Sequence, residues 1–339
     1  MRVLVTGASG FIGWHVAQAL VARGHDVQAL VRRESVPRLK GSGVEPLEGD
    51  LRDREAVAKA TKGCQAVFHV AALYALWWPR PQEMYEVNVE GTRNVLEAAR
   101  ASEVERIVHT STVGTVHLPG KGALGNEEHD AAPRELVGHY KRSKFLAEME
   151  ARRAADQGMS LVVVNPTAPV GSHDVKPTPT GKMVLDFLRG RIPAYIHTGL
   201  NLVDVVDVAA GHVLAMEKGQ TGRRYLLGNL KGNLTLRQIL EMLASITGRR
   251  VPRLRLPRWL ALAAACADGA LEGGLLRRQP RIPLEGVRMA GKLMWVDCSR
   301  AVTELGLPQT PVEQALEKAA RWFVDNGYVP RKRSVQVPG

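Results

Sequence analysis

Tyr140 and Lys144 stand four residues apart in the run Gly138-His139-Tyr140-Lys141-Arg142-Ser143-Lys144. On a helix that spacing sets a phenol and an ammonium on one face, a turn apart. A free tyrosine has a pKa of about 10 and is a poor base at neutral pH. A nearby cation favours the phenolate, but a drop of roughly three units needs about 4 kcal/mol of differential stabilisation. At the other end of the chain, Thr6-Gly7-Ala8-Ser9-Gly10-Phe11-Ile12-Gly13 follows an apolar run and opens a helical pattern. Glycines let backbone amides approach a pyrophosphate, and a helix N-terminus favours its charge. Glycines at 7, 10 and 13 depart from the dehydrogenase GxGxxG, and a glycine triplet alone also describes a tight turn. Its place between the first strand and the first helix is what points to a dinucleotide. The ring of an oxidised nicotinamide is itself a cation that could act on Tyr140, so pair and loop together indicate hydride chemistry.

Other residues would refine that site. Arg32 and Arg33 follow the second apolar run, where an acid would bind the ribose diol of NAD and an arginine the 2′-phosphate of NADP. They favour NADP(H), with NAD(H) still open, and a solvated arginine pair is the plainer alternative. Asp50 could reach an adenine amine or simply cap a helix. Ala71 and Ala72 leave room for a cofactor to lie close. A hydroxyl within Thr110-Ser111-Thr112 could hold a substrate oxygen near the phenol. Asn88 falls on a long helix, where packing is an equal explanation. Tyr74-Ala75-Leu76-Trp77-Trp78 would line the mouth of a pocket or pack as a buried loop.

The elements that must position these residues alternate. Strands are predicted over Arg2–Thr6, Asp26–Val31, Val44–Leu47, Ala66–Val70, Arg106–Thr110 and Leu161–Asn165. Helices are predicted over Phe11–Arg23, from about Arg54, over about Gln82–Ser102, and from the Tyr140 segment to about Asp156. Asp50 or Asp53 can cap the second of these. This β-α alternation predicts an α/β fold, a Rossmann doubly wound parallel sheet. After Asn165 the prolines and glycines multiply, and later helices are expected at Val205–Lys218, Leu236–Thr247 and Val312–Asn326, with a strand at Arg224–Leu227. Residues 1–165 thus read as the dinucleotide-binding domain. Residues 166–339 read as a smaller, mixed α/β substrate domain, with the stretch near 203–218 returning to the Rossmann core.

Composition excludes several classes. Three widely spaced cysteines without a CxxC pair suit a reducing cytoplasm. Ten histidines show no paired metal-ligand spacing, so no metal is expected. GxSxG and a Walker lysine are absent. The formal net charge is +12, with arginines at 249, 250, 253, 255, 258, 277, 278 and 281, then Arg331-Lys332-Arg333. No nucleic-acid motif accompanies them, so no nucleic-acid partner is expected. An acidic substrate, an anionic membrane or plain solvated faces fit that charge. The apolar run within Leu256–Leu276, flanked by arginines, could dock on a membrane bearing a lipid substrate. A domain-packing helix is the better reading, because Asp268, Glu272 and Gly273-Gly274 interrupt it.

Thr6-Gly7-x-x-Gly10-x-x-Gly13, Thr110-Ser111-Thr112 and Tyr140-x-x-Ser143-Lys144 resemble the extended short-chain dehydrogenase/reductase family, over nearly the whole chain. The resemblance implies that Tyr140 is the acid/base, that Lys144 binds the nicotinamide ribose and lowers the Tyr140 pKa, and that Asn88 supports that lysine. Thr112 takes the place of the family's catalytic serine, a departure that keeps the hydroxyl. The cofactor would lie on Gly7, Ser9, Gly10, Phe11, Ile12, Gly13, Arg32, Asp50, Leu51, Ala71, Ala72 and Pro166. The substrate would meet Tyr74, Trp77, His173 and Lys176, and a homodimer would form through the Tyr140 helix. His139–Glu148, Asn165–Gly171, Lys176–Gly181 and Thr198–Val203 resemble hopanoid-associated sugar epimerases, which implies a sugar, nucleotide sugar or hopanoid-linked polyol as substrate. The strand-end Thr-Ser motif and Val31-Arg32 also resemble dihydroflavonol 4-reductases, which use NADPH.

Overall fold

The computed structural model of the chain describes residues 1–120, 122–275, 278, 280, 282 and 284–329. Arg277, Arg281 and the Arg331-Lys332-Arg333 run lie outside the described residues. Arg2–Thr6 forms β1, whose Val3, Leu4 and Val5 are wholly buried because both faces of the strand are covered. The chain continues through α1 (Phe11–Val21), β2 (Asp26–Val31), β3 (Glu45–Glu48), α2 (Arg54–Thr61) and β4 (Ala66–His69). Next come α3 (Pro81–Tyr85), a π-helical turn over Glu86–Glu90 and α4 (Gly91–Ala101), so the expected single helix is interrupted at Asn88. β5 (Arg106–Thr110), α5 (Gly138–Asp156) and β6 (Leu161–Pro166) follow.

The later elements are β7 (Ala168–Val170), α6 (Pro179–Leu188), β8 (Ala194–Tyr195), β9 (Gly199–Asp204), α7 (Val205–Lys218), β10 (Arg224–Leu227) and β11 (Asn233–Thr235). α8 (Leu236–Thr247), β12 (Leu254–Arg255), α9 (Arg258–Asp268), α10 (Leu284–Met289), β13 (Leu293–Met294) and α11 (Val312–Asp325) complete the set.

Seven strands in the order β10-β6-β5-β4-β1-β2-β3 form a sheet that is parallel throughout. Helices cover both of its faces. Val3, Val5 and Ala29 meet Val16 and Leu20 of α1 and Val208 of α7 on one side. Leu4, Val67 and Ile107 meet Val57 of α2, Val95 of α4 and Ala151 of α5 on the other. The strand order reverses between β1 and β4, which opens a crevice at their carboxyl ends. A separate core joins α6, α8 and α11 over β7 and β9, through Leu185, Leu243, Leu316 and Phe323. α7 and β10 arise late in the chain, yet α7 lies on α1 and β10 pairs with β6.

α9 departs from its expected role as a packing helix. Only Ala261 and Ala265 on it are buried, against a small cluster that includes Val287. Trp259 is 70% exposed. The helix is braced from one side, and nothing among the described residues covers the other. No helix among the described residues is long and apolar enough to cross a membrane.

Candidate active site

The chain leaves β1 through Gly7, whose φ of +78° lies in the left-handed region that favours glycine. A Cβ there would stand 2.7 Å from the Ala71 backbone after β4, and one at Gly13 would stand 2.1 Å from the Gly7 carbonyl oxygen. The two strand ends and the start of α1 therefore approach as bare backbone. α1 has no side-chain cap at Gly10 and no acid in its first turn, which leaves its N-terminal amides open to an anion. Ser9, Phe11 and Ile12 are half-covered around this turn, and Ala71 and Ala72 flank it. Thr6 Oγ1 ties the strand ends together, accepting from Ala71 N at 3.2 Å and meeting His69 Nδ1 at 2.8 Å. These features fit a dinucleotide's diphosphate.

At the adenosine end, Arg32 and Arg33 are exposed just after β2, and Arg32 Nε lies 3.1 Å from Glu34. Asp53, not Asp50, caps α2, accepting from the amides of Glu55 and Ala56. Both Asp50 oxygens are taken by the Arg52 guanidinium at 2.9 and 2.8 Å, and that pairing holds its carboxyl below the usual range. Asp50 would have to share those oxygens to reach an adenine amine. Leu51 is buried beneath α4, its carbonyl accepting from Asn94 Nδ2 at 2.8 Å.

α5 carries Tyr140 and Lys144 toward the ends of β4 and β5. The Tyr140 phenol faces the Thr112 side chain, and its ring lies under Tyr74 with centroids 4.4 Å apart. Burial pushes the phenol up to about 12, against the pull of the nearby Thr112 hydroxyl. In the protein alone, desolvation is the larger of the two influences on this phenol. Lys144 is itself buried and donates to the Thr110 carbonyl at 2.7 Å. Burial brings its ammonium down to about 8, while Glu148, one turn further along α5, pulls it back up.

Asn88 does not reach Lys144. Its side chain donates to Ser143 Oγ at 2.9 Å and bonds both the amide and the carbonyl of Leu73, at 2.7 and 3.2 Å. The π-helical turn aims it there, and it pins the residue before Tyr74 to the residue before Lys144.

Tyr74 meets the Tyr140 ring, and Trp77 lines a cavity that reaches the neighbouring His139; His173 and Lys176 lie elsewhere. Trp77 and Trp78 line a cavity of about 180 Å³ with Met84, His139 and Glu285 beside the start of α5. His173 instead stacks on Trp14 of α1, centroids 4.1 Å apart, and Lys176 is exposed. Pro166 is buried at the end of β6.

Among the buried carboxylates outside the set of residues that the sequence singles out are Glu148 and Asp174. Glu148 Oε2 accepts from Ser111 Oγ, from Thr115 Oγ1 at 2.7 Å and from Asn165 Nδ2 at 3.0 Å, while Oε1 meets Arg224 at 3.0 Å. Asp174 Oδ2 accepts from the amide and hydroxyl of Thr178 at 2.9 and 2.8 Å, and burial pushes its carboxyl up to about 6. The Lys144–Glu148 spacing of four is a visible signal; nothing marks Asp174.

Residues 3–228 match the NAD dependent epimerase/dehydratase family. A Synechocystis sp. protein provisionally named dihydroflavonol 4-reductase is 44% identical over 330 residues, covering 96% of this chain and 95% of that one. Sterol demethylase protein B of Methylococcus capsulatus is 38% identical over 331 residues, covering 97% and 100% respectively. The crystal structure of gox2253 superposes with a TM-score of 0.85 at 39% identity, over 97% of this chain and 99% of that one. The matched stretch holds the glycine turn, the Thr112 strand end and the Tyr140 helix. The chain belongs to the NAD-dependent epimerase/dehydratase family of extended short-chain dehydrogenases/reductases.

Proposed function

We propose that this protein is a nicotinamide-dependent carbonyl reductase of a lipophilic small molecule, with NADP(H) preferred. The observation that carries this reading is the Tyr140 phenol facing the Thr112 hydroxyl one helical turn from Lys144, with a cavity walled by Trp77 and Trp78 reaching the preceding residue, His139. Bound NADPH supplies the hydride. Tyr140 Oη gives its proton to the substrate oxygen as the carbonyl is reduced, and takes one back in the reverse direction. The Thr112 hydroxyl holds the same oxygen, and the Lys144 ammonium binds the ribose and stabilises the phenolate that proton transfer leaves. Asn88 acts one step removed, through Ser143 and Leu73. The turn from Gly7 to Gly13 holds the diphosphate, and Arg32 the 2′-phosphate, with Asp50, Leu51, Ala71, Ala72 and Pro166 around the carrier.

Names of relatives add support: one is provisionally a reductase and another a sterol demethylase protein. The sugar-epimerase reading, hopanoid-associated or otherwise, draws on the stretches Asn165–Gly171 and Thr198–Val203. It needs a ketone that stays in place beside a carrier that stays bound. The cavity next to Tyr140 suits a diphosphate sugar poorly, since among the described residues its lining holds the Glu285 carboxylate and no lysine or arginine. A dinucleotide-sensing role without turnover would leave the Tyr140–Thr112–Lys144 arrangement without use.

Leu146 and Met149, exposed on α5, form a face on which a second copy would sit, and three unpaired cysteines suit a reducing cytoplasm. Mass spectrometry of the purified protein, before and after extensive dialysis, separates the two chemistries. The reductase reading expects NADP that washes out; NAD retained in equal ratio to protein would replace it with epimerisation.

A further inference from the structure

The nineteen residues 249–267 contain five arginines and no acid. Arg250, Arg253, Arg255 and Arg258 are all exposed, and among the described residues none of them pairs with a carboxylate. Between and after them stand Leu254, Trp259 and Leu260, exposed by 59%, 70% and 40%, with Leu271 beyond at 54%. On α9, after the exposed Arg258 that opens it, the residues facing solvent are Trp259, Leu260, Ala263, Ala264, Cys266 and Ala267, an uncharged arc of roughly 160° around the helix. The opposite side, Ala261 and Ala265, is buried against the protein. A helix apolar on every side belongs inside a core or against a second apolar phase. Here one side has its core and the other has none.

What would cover it follows from the charge beside it. Guanidinium groups flanking exposed indole and leucine side chains match the headgroup level of an anionic bilayer, where the rings enter the acyl boundary and the cations meet lipid phosphates. A second copy of this chain would bring the same unpaired cations against themselves.

The same segment leads to the site. Gly273 backs onto Trp77, a Cβ there falling 3.3 Å from the indole nitrogen, and Gly286 of α10 backs onto Leu76 at the same distance. Glu285 closes on Gly138, two residues before Tyr140. The exposed strip and the wall of the Trp77 cavity are thus continuous stretches of one chain.

We propose that the strip Arg250–Leu260, with α9, docks the protein on an anionic membrane surface, so that a substrate dissolved in lipid enters the cavity beside Tyr140 from that side. The docking stands on the surface alone; the delivery rests on the lipophilic-substrate reading above.

Flotation of the full chain tests the docking, using vesicles of phosphatidylcholine alone and vesicles with about 30% phosphatidylglycerol, at low and high salt. Wild type should float with the anionic vesicles at low salt and leave them at high salt. The variant Trp259→Ser/Leu260→Ser keeps every charge, and should bind at least about tenfold more weakly. Each arginine replaced by glutamine at 253 or 255 should cost about fivefold. Equal binding by the serine variant, or wild type left with the soluble fraction, overturns the docking. So does a lipid-free dimer that the serine variant dissolves, since the strip would then be a contact between copies. Reduction of a short, water-soluble ketone should be unchanged in the serine variant; if the vesicle result holds while only hydrophilic sugars are turned over, the docking survives and the lipophilic-substrate reading fails.

Discussion

Glu148 and Asp174 are both carboxylates sealed from solvent, 2% and 1% exposed, in the floor and the wall of one molecule. Glu148 is bonded at both oxygens by four partners, two from the turn that follows β5, one from β6 and one from β10, the last being the Arg224 guanidinium. Asp174 is bonded at one oxygen only, by Thr178, while its Oδ1 has no partner among the described residues. The contrast shows what burial asks of a charge. With a cation and a full set of donors, a carboxylate becomes a structural knot; with half a set, it shifts toward its protonated form. The knot holds the strand end that carries Thr112 against the helix that carries Lys144. Asp174 instead sits at the head of α6, in the segment where His173 meets Trp14.

The largest effect should come from undoing the knot. Glu148→Ala leaves the buried Arg224 guanidinium with Asp130 and the Glu127 carbonyl and strands the Ser111 hydroxyl, while Thr115 and Asn165 keep the Thr112 carbonyl, so it should lower stability by about 3 kcal/mol. Urea unfolding measures this, and a loss below about 1 kcal/mol would mean that the network matters little. Asp174 should show itself through pH. Its folded value of about 6 lies above the roughly 3.9 of an unfolded aspartate, so the folded state holds the extra proton. Its contribution should therefore be present below pH ~4 and decline as pH rises to ~6, by up to about 3 kcal/mol. Asp174→Asn should flatten that part of the stability profile and raise stability at pH ~7.5. An unchanged profile would show that Asp174 ionises normally. Smallest is the effect at the exposed Arg32, already facing Glu34: Arg32→Ala should raise KM for NADPH about tenfold and leave NADH nearly unaffected. Equal changes for both carriers would remove the 2′-phosphate assignment.

Much of the fold is legible in the amino-acid sequence itself. β1, β2, α7, β10 and α8 fall at the expected residues, because their apolar periods and flanking turn residues agree. The glycine turn is legible for the same local reason. What stays hidden is long-range. Glu148 meets residues 111, 115, 165 and 224, and no spacing along the chain announces those meetings. Asn88 is expected to serve Lys144; the π-helical turn rotates it to Ser143 and Leu73 instead. His173 lies in a segment fit for substrate, but the Trp14 ring, far earlier in the chain, takes its imidazole. The sequence of α9 reads as a packing helix, since composition cannot tell a buried apolar face from one turned outward.

The central claim is that Tyr140 moves the proton while the rest of the site holds the carrier. Tyr140→Phe removes one oxygen and keeps the ring against Tyr74. Measured together, NADPH affinity by fluorescence titration and turnover of a lipophilic ketone should separate. Affinity should stay within about twofold and turnover should fall by about 10²–10⁴-fold. Turnover equal to wild type, with the carrier bound normally, would contradict the account.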